Sequence, residues 1–378
     1  MSTSLNSSPS ETESTAATDE DRTIRRSNWL IRSVSAVNVI FVASVYYLIH
    51  VVSESHYVGV ILTYFPRMPY LIPSACLCVL IWRRSKVLAA VNLLALFWVL
   101  GPVMEFHWNS SQATTSASAP LKVISCNVQG YAPDFSDLMN ELVTLRPDIL
   151  VLQESGAEHD LLQSAYPPET WHRVSYHEFR IISRYPVELR AEKCITMKIG
   201  KWPYCSAICA KVDGPGGEFY LFNIHQLTPR HELAQLSLSS IWNGTAGQQI
   251  AIRHKTRDDE AAQIRQYVER LRKDKPFLIA GDFNTPSSSS FFRKHWGDLS
   301  NAFDVAGKGY GYTANCDTKS NWPRGFPWSR VDHILTSAHW QIDRCRVGSS
   351  NGSDHRLMMA ELLQESSTPV VDEPSATP

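Results

Sequence analysis

The stretch Phe277-Leu278-Ile279-Ala280 is a continuous apolar run, bounded by Pro276 before it and Gly281 after it. A run this short between two chain-breaking residues suits a buried strand better than a helix. It ends in Gly281-Asp282-Phe283-Asn284, so a carboxylate and a carboxamide leave the strand on one side of an extended backbone. Gly281 lets the chain turn or lets a neighbour approach closely. Thr285, Pro286 and Ser287–Ser290 then read as loop. Polar groups at the end of a buried strand are costly unless something binds them. A lone Asp-x-Asn is an Asx-turn closing a strand; the motif carries more if other core strands finish the same way.

They do. Leu121–Val128 (LKVISCNV) alternates as a strand and breaks at Gln129-Gly130. Asn127, near its end, is either a turn cap or a neutral oxygen ligand for a hard cation. Asp137–Leu145 has helical spacing and stops at Arg146-Pro147. Ile149–Leu152 is a second continuous apolar strand, and it finishes in Gln153-Glu154. Phe179–Val187 runs as a strand into a turn at Tyr185-Pro186, and Glu218–Ile224 ends at His225. The apolar spacing of Ala261, Ile264, Val268 and Leu271 predicts an amphipathic helix over Thr256–Leu271, leading into the Phe277 strand. Asp332 alternates with the apolar positions of a strand around Val331–Leu335, and Ser353-Asp354-His355 precedes a last strand, Arg356–Leu362.

Ahead of this lies a different kind of chain. Residues 1–27 are polar and nearly free of large apolar side chains, which predicts a disordered tail. Val34–Val52 and Leu88–Met104 are apolar runs without a charged residue. At about 1.5 Å per residue each nearly crosses a hydrocarbon core of about 30 Å. Between them Tyr57–Trp82 is interrupted by Pro66, Arg67, Pro69 and Pro73 and is read as a further, irregular span. The expected division is a transmembrane region over 28–106 (about 33–53, 58–82 and 87–105), a Ser/Thr/Ala linker over 107–120, a globular domain over 121–364 and a disordered tail over 365–378. Arg22, Arg25, Arg26 and Arg32 precede the first span, and Arg83, Arg84 and Lys86 lie between the second and third. The positive-inside rule then puts the N-terminus and that loop in the cytoplasm and, after three crossings, the globular domain outside. Two crossings would leave it in the cytoplasm.

Of the eight cysteines, Cys205 and Cys209 lack a second pair with zinc spacing. Cys194 with Cys205, and Cys316 with Cys345, are disulfide candidates for an exported domain, and Cys126 reads as a buried thiol. The net charge of -1 gives no support for a generally basic nucleic-acid binder.

Asn127, Glu154, His225, Asp282, Asn284, Asp332, Asp354 and His355 form the chemical set. Carboxylates and amide oxygens without a thiolate cluster suit Mg²⁺ or Mn²⁺. Histidines add proton transfer near neutral pH and donors to an oxyanion. Together these are the components for attack of water on phosphorus.

The ordered motifs SCNVQG, LQE, IISRYPV, NIH, GDFNTP, GYGYT (Gly309–Thr313), RVDHIL and SDH resemble the endonuclease/exonuclease/phosphatase superfamily, with the DNase I-like fold, over nearly all of Leu121–Leu363. The resemblance implies a four-layer α/β sandwich: two mixed, mostly antiparallel sheets face to face, with helices outside. It implies Glu154 as principal metal ligand with Asn127 beside it, and Asp354 binding metal directly or through water. It implies His355 as general base, Asp332 as its orienting carboxylate, Asp282 and Asn284 as the positioning pair, and His225 as the second histidine. Two positions depart from the pattern: Ile224 stands where many members have Thr, and Phe179-Arg180 where a small residue is common. Arg180 is a phosphate contact or, more simply, surface charge.

The expected function is a membrane-anchored, Mg²⁺- or Mn²⁺-dependent hydrolase of a phosphodiester or phosphomonoester. Trp322, Arg324, Phe326, Trp328 and Arg330 are a candidate edge for a nucleic-acid groove or for lipid headgroups; no protein partner is implied. The alternative is a non-catalytic membrane-anchored binding module that retains the fold. A transporter is disfavoured by so few spans without internal charge.

Overall fold

The computed structural model describes residues 11–109, 119–132, 134–156, 159–190, 195–199, 202–230, 233, 238–314, 326–349 and 352–365. The chain divides into two units, Met1–Tyr47 with Arg67–Met104, and Leu48–Pro66 with Glu105–Pro378.

In the first unit one helix spans Glu11–Tyr47. The described residues of the polar head, from Glu11 onward, form the start of this helix. A helix over Leu71–Ile81 and another over Lys86–Trp98, extended by a wide turn through Val103, complete the unit. Buried polar groups join these helices. Asn38 Nδ2 donates to Ser74 Oγ at 3.0 Å and to Asn92 Oδ1 at 2.9 Å, and Asn92 Nδ2 donates to Ser35 Oγ at 3.0 Å. Side-chain amides and hydroxyls of this kind tie apolar helices together where no hydrophobic difference drives them together. Arg25–Ser55 and Lys86–Val103 are long and apolar enough to cross a membrane, and Tyr57–Tyr64 with Met68–Ile81 is a third candidate if the broken pair is one span. The break falls at Phe65, which is extended, as a residue before proline must be.

The second unit holds two mixed sheets. Its strands are β1 (Leu121–Asn127), β2 (Ile149–Gln153), β3 (His172–Tyr176), β4 (Phe179–Ser183), β5 (Val187–Leu189), β6 (Ile195–Ile199), β7 (Trp202–Gly214), β8 (Gly217–His225), β9 (Phe277–Asp282), β10 (Ser300–Asn301), β11 (Asp332–Thr336), β12 (Trp340–Val347) and β13 (Met358–Gln364). One sheet runs β12-β13-β1-β2-β4-β3; the other runs β10-β11-β9-β8-β7-β5, with β6 on β7. Each is antiparallel except at one central pair, β1 with β2 and β8 with β9.

A core between the sheets collects Val123, Val151 and Ile181 from one and Ile208, Leu221, Leu278 and Ile334 from the other. The outer face of the first sheet packs Ile124, Leu150 and Leu152 against Phe135, Leu138 and Leu142 of the helix Phe135–Leu145. The outer face of the second packs Phe222, Ile224 and Ile279 against Ile264 and Val268 of the helix Thr245–Arg272. This is the expected four-layer α/β sandwich. The linker region begins with an ordered pair, His107–Trp108, bonded antiparallel to Lys308–Gly309. Cys345 is a buried free thiol, so it does not pair with Cys316, which lies outside the described residues. Cys205 is disulfide-bonded, and its partner is likewise outside them.

Candidate functional site

The two parallel pairs decide where the polar residues go. In β1 and β2 the register sets Asn127 beside Gln153, so Glu154 emerges next to Asn127. In β8 and β9 it sets His225 beside Asp282, and on the other side of β9 the antiparallel partner of Asp282 is Asp332. Parallel neighbours end on the same side, which is why each sheet delivers the terminal side chains of its parallel pair together, and the two sets meet at one end of the sandwich. Gly281 allows the close approach. Its φ is +151°, and a Cβ there would stand 1.9 Å from the Ile224 carbonyl oxygen.

The side chains meet in a cleft of about 540 Å³, lined by Glu154, His225, Asp282, Asn284, Asp354 and His355 among others. Asn127 Nδ2 donates to Glu154 Oε1 at 2.8 Å and to Asp282 Oδ2 at 3.3 Å. Asp282 Oδ1 accepts from the Asn284 amide N at 2.8 Å, and Asn284 Nδ2 donates to Asp282 Oδ2 at 3.1 Å and to the Gln226 carbonyl at 2.8 Å. His355 Nδ1 faces Asp332 Oδ2 at 2.9 Å, leaving Nε2 toward the cleft, 3.7 Å from Asp282 Oδ2. His225 Nδ1 faces Glu178 Oε1 at 3.0 Å, and its Nε2 lies 3.6 Å from Asp282 Oδ2 and 3.9 Å from Glu154 Oε1. With a carboxylate on Nδ1 of each ring, Nδ1 carries the hydrogen and Nε2 is the working atom. Asp354 Oδ2 is 3.5 Å from Arg230, and its backbone N donates to Gln129 Oε1 at 3.2 Å.

Burial alone would discharge both histidines. Their carboxylates outweigh it: against burial, the Glu178 hydrogen bond and the Asp282 charge hold His225 at about 9. Against burial, Asp332 and Asp282 hold His355 well above the ordinary imidazole value. Burial lifts Asp282 to about 6, with Asp332 adding to the shift and the two imidazoles opposing it. The paired carboxylates thus favour the charged form of both rings over what burial alone would give. Ligand atoms of Asp282, Asp332 and His355 also lie within 4.8 Å of one another, close enough for a metal. Since Asp332 and His355 are already bonded to each other, this trio fits an acid–base unit better than a cation site. Glu154 differs: its side chain is 37% exposed into the cleft.

The sequence profile of the Endonuclease/Exonuclease/phosphatase family matches residues 124–355. The chain belongs to this family. Its members act on phosphoester bonds and characteristically use a divalent metal. No curated protein matches this chain. Among solved structures, the endonuclease/exonuclease/phosphatase from Bacteroides vulgatus is 15% identical, with a TM-score of 0.46, covering 66% of this chain and 100% of that one. A family protein from Leptotrichia buccalis is 14% identical, with a TM-score of 0.45 over 64% of this chain and 99% of that one. The 3′ phosphatase NExo from Neisseria, bound to a product DNA hairpin, is 20% identical, with a TM-score of 0.42 over 64% and 99%. At this distance no residue role is taken from any of them.

Of the sequence candidates, Glu154, His225, Asp282, Asn284, Asp354 and His355 line the cleft, while Asn127 and Asp332 stand buried behind it, bonded to Glu154 and Asp282 and to His355. Arg180 is not among them. It is neither surface charge nor a cleft residue: it sits in β4 beside Leu152, 3% exposed. Arg330 is no groove cation either. It is buried against Asp304 at 2.6 Å, with Phe303 under its guanidinium. Trp322 and Arg324 lie outside the described residues. Glu178 and Tyr204, whose hydroxyl donates to the His225 carbonyl at 2.9 Å, were not legible from strand ends. Glu178 sits in the β3–β4 hairpin, where an acidic residue is unremarkable. Arg257 and Glu260 did carry a signal: both fall on the apolar stripe of the helix Thr245–Arg272. Glu260 is fully buried, accepting from Ser206 Oγ at 2.5 Å and from the Leu227 N at 2.9 Å.

Proposed function

We propose that the protein is a membrane-anchored, divalent-metal-dependent phosphoesterase whose catalytic unit lies outside the cytoplasm. The observation that carries the chemistry is the Asp332–His355 pair at 2.9 Å, with its free Nε2 directed at the same buried carboxylate that faces His225.

Asp332 orients the His355 ring and stabilises its protonated form, so Nε2 receives the proton of the attacking water. Asp282 and Asn284, locked together by two hydrogen bonds, position that water and the phosphoryl oxygens. His225, kept protonated by Glu178, donates to the charge that develops on phosphoryl or leaving-group oxygen. The donors fit a hard cation: Glu154 presents an exposed carboxylate, Asn127 stands bonded to it, and Asp354 lines the same cleft. When bound there, Mg²⁺ or Mn²⁺ would supply neutralisation of phosphoryl charge and Lewis acidity.

The membrane placement has its own support. Arg25–Ser55 and Lys86–Val103 are each long and apolar enough to cross, and Arg83, Arg84 and Lys86 mark the loop before the second of these as cytoplasmic, which puts the chain after Val103 outside. The disulfide at Cys205 agrees with an oxidising compartment.

The test uses the full-length protein in detergent, with bis-p-nitrophenyl phosphate and p-nitrophenyl phosphate as substrates. Turnover is expected with Mg²⁺ or Mn²⁺, none with EDTA, and none in His355→Ala or Glu154→Ala. Turnover that survives EDTA and Glu154→Ala would sink the metal-dependent reading. The preferred ester narrows the substrate class.

A further inference from the structure

The segment Leu48–Pro66 joins two apolar helices, yet it belongs to the catalytic unit. It is built as a folded piece. Ser53 takes a left-handed φ of 47°, and Gly59 lets the helix Tyr57–Tyr64 close on that turn, since a Cβ there would stand 2.0 Å from the Ser53 carbonyl oxygen. Glu54, although charged, is 2% exposed. Its carboxylate accepts from Ser289 Oγ at 2.5 Å, from Ser53 Oγ at 2.5 Å and from the Tyr64 hydroxyl at 2.8 Å. A buried carboxylate costs stability unless its lone pairs are used in this way.

The segment reaches the site through one residue. The carbonyl of Asn284 faces the Tyr64 hydroxyl at 3.3 Å and accepts from Arg257 at 3.0 Å. Asn284 is left-handed, with φ 49°, and this backbone turns its amide onto Asp282 and Gln226. A non-glycine residue holds such a conformation where its surroundings over-determine it. Tyr64 is itself pinned, its carbonyl accepting from Trp328 Nε1 at 3.1 Å. Tyr64 and Trp328 also wall a cavity of about 230 Å³ that opens onto Asn284 and His355.

We infer that the inter-helix segment Leu48–Pro66 is a working part of the active site, in which Tyr64, braced by Glu54, is a positioning residue for Asn284. The inference rests on the phosphoesterase reading for its kinetic arm, so a second arm is independent of turnover. The experiment uses full-length protein in detergent with Mg²⁺ and bis-p-nitrophenyl phosphate, comparing Tyr64→Phe, Asn284→Ala and the double variant, with hydrogen exchange of residues 283–289. Tyr64→Phe removes the hydroxyl that, held by Glu54, stands 3.3 Å from the Asn284 carbonyl, so kcat is expected to fall about tenfold with little change in KM. On the Asn284→Ala background the same change is expected to cost nothing further, which a general loss of packing would not produce. Exchange at 283–289 is expected to quicken in Tyr64→Phe. Unchanged kcat, or an equal loss on both backgrounds, would overturn the positioning role. Unchanged exchange would overturn the docking of the segment. A wild type that hydrolyses neither ester while exchange still quickens overturns the functional reading and leaves the docking supported.

Discussion

His333, next to Asp332, makes the acid stability of the second unit calculable. It is fully buried in β11; its Nε2 faces the Thr285 carbonyl at 2.9 Å and its Nδ1 faces Asn301 Nδ2 at 3.1 Å. A carbonyl on one side and an amide NH₂ on the other demand the neutral ring, with its hydrogen on Nε2. Burial first, and the nearby Arg330 second, lower its pKa from 6.5 to about 4. The folded state thus refuses a proton that the unfolded chain accepts. Stability from this group is fully present above pH 6.5, is lost as the pH falls from there to about 4, and changes no further below. At about 1.4 kcal/mol per pH unit the loss is about 3 kcal/mol. Urea unfolding of the detergent-solubilised protein, followed by tryptophan emission from pH 7.5 to 4, would compare wild type with His333→Gln. Glutamine keeps a donor for the Thr285 carbonyl and does not titrate. The stability advantage of wild type over the variant should shrink by about 3 kcal/mol on acidification. An advantage that stays flat would refute the buried neutral imidazole.

Three further outcomes follow from the same geometry. Gly281→Ala should destabilise the unit by about 3 kcal/mol or more, seen as a large fall in thermal midpoint, because its Cβ would meet a backbone carbonyl of β8 that cannot retreat. On the proposed mechanism, which gives Asp332 the orienting role and not a metal-ligand one, Asp332→Asn should lower kcat about 10²–10⁴-fold while leaving Mg²⁺ affinity by calorimetry nearly unchanged. Glu178→Gln removes a carboxylate charge that raises the His225 pKa, so the alkaline decline of kcat, set by a group at about 9, should move to lower pH. An unmoved decline would take His225 out of the acid role.

Much of the site was readable because strand ends in this fold are punctuated. Asn127, Glu154, His225, Asp282 and Asp332 each stop or start an apolar run, and a polar residue at that point has no packing reason to be there. Arg180 and Arg330 misled because a charged residue beside a motif looks exposed, whereas both are enclosed. Tyr57–Trp82 shows how hydropathy averages over a break: the run is two helices bent by 97°, a third span only if the pair crosses as one.

Local chemistry thus determined the strands, the helices Phe135–Leu145 and Thr245–Arg272, the apolar N-terminal helices and the order of the cleft's polar side chains along the chain. Periodicity and chain-breaking residues act over a few positions, and a sequence displays them directly. Tertiary structure alone decided the pairs. That Glu178 meets His225, that Asn127 bridges Glu154 and Asp282, and that Tyr64 meets Asn284 depends on parallel register, a hairpin turn and a docked segment. These contacts join residues tens to hundreds of positions apart, and their free energy exists only once the sheets have closed on each other.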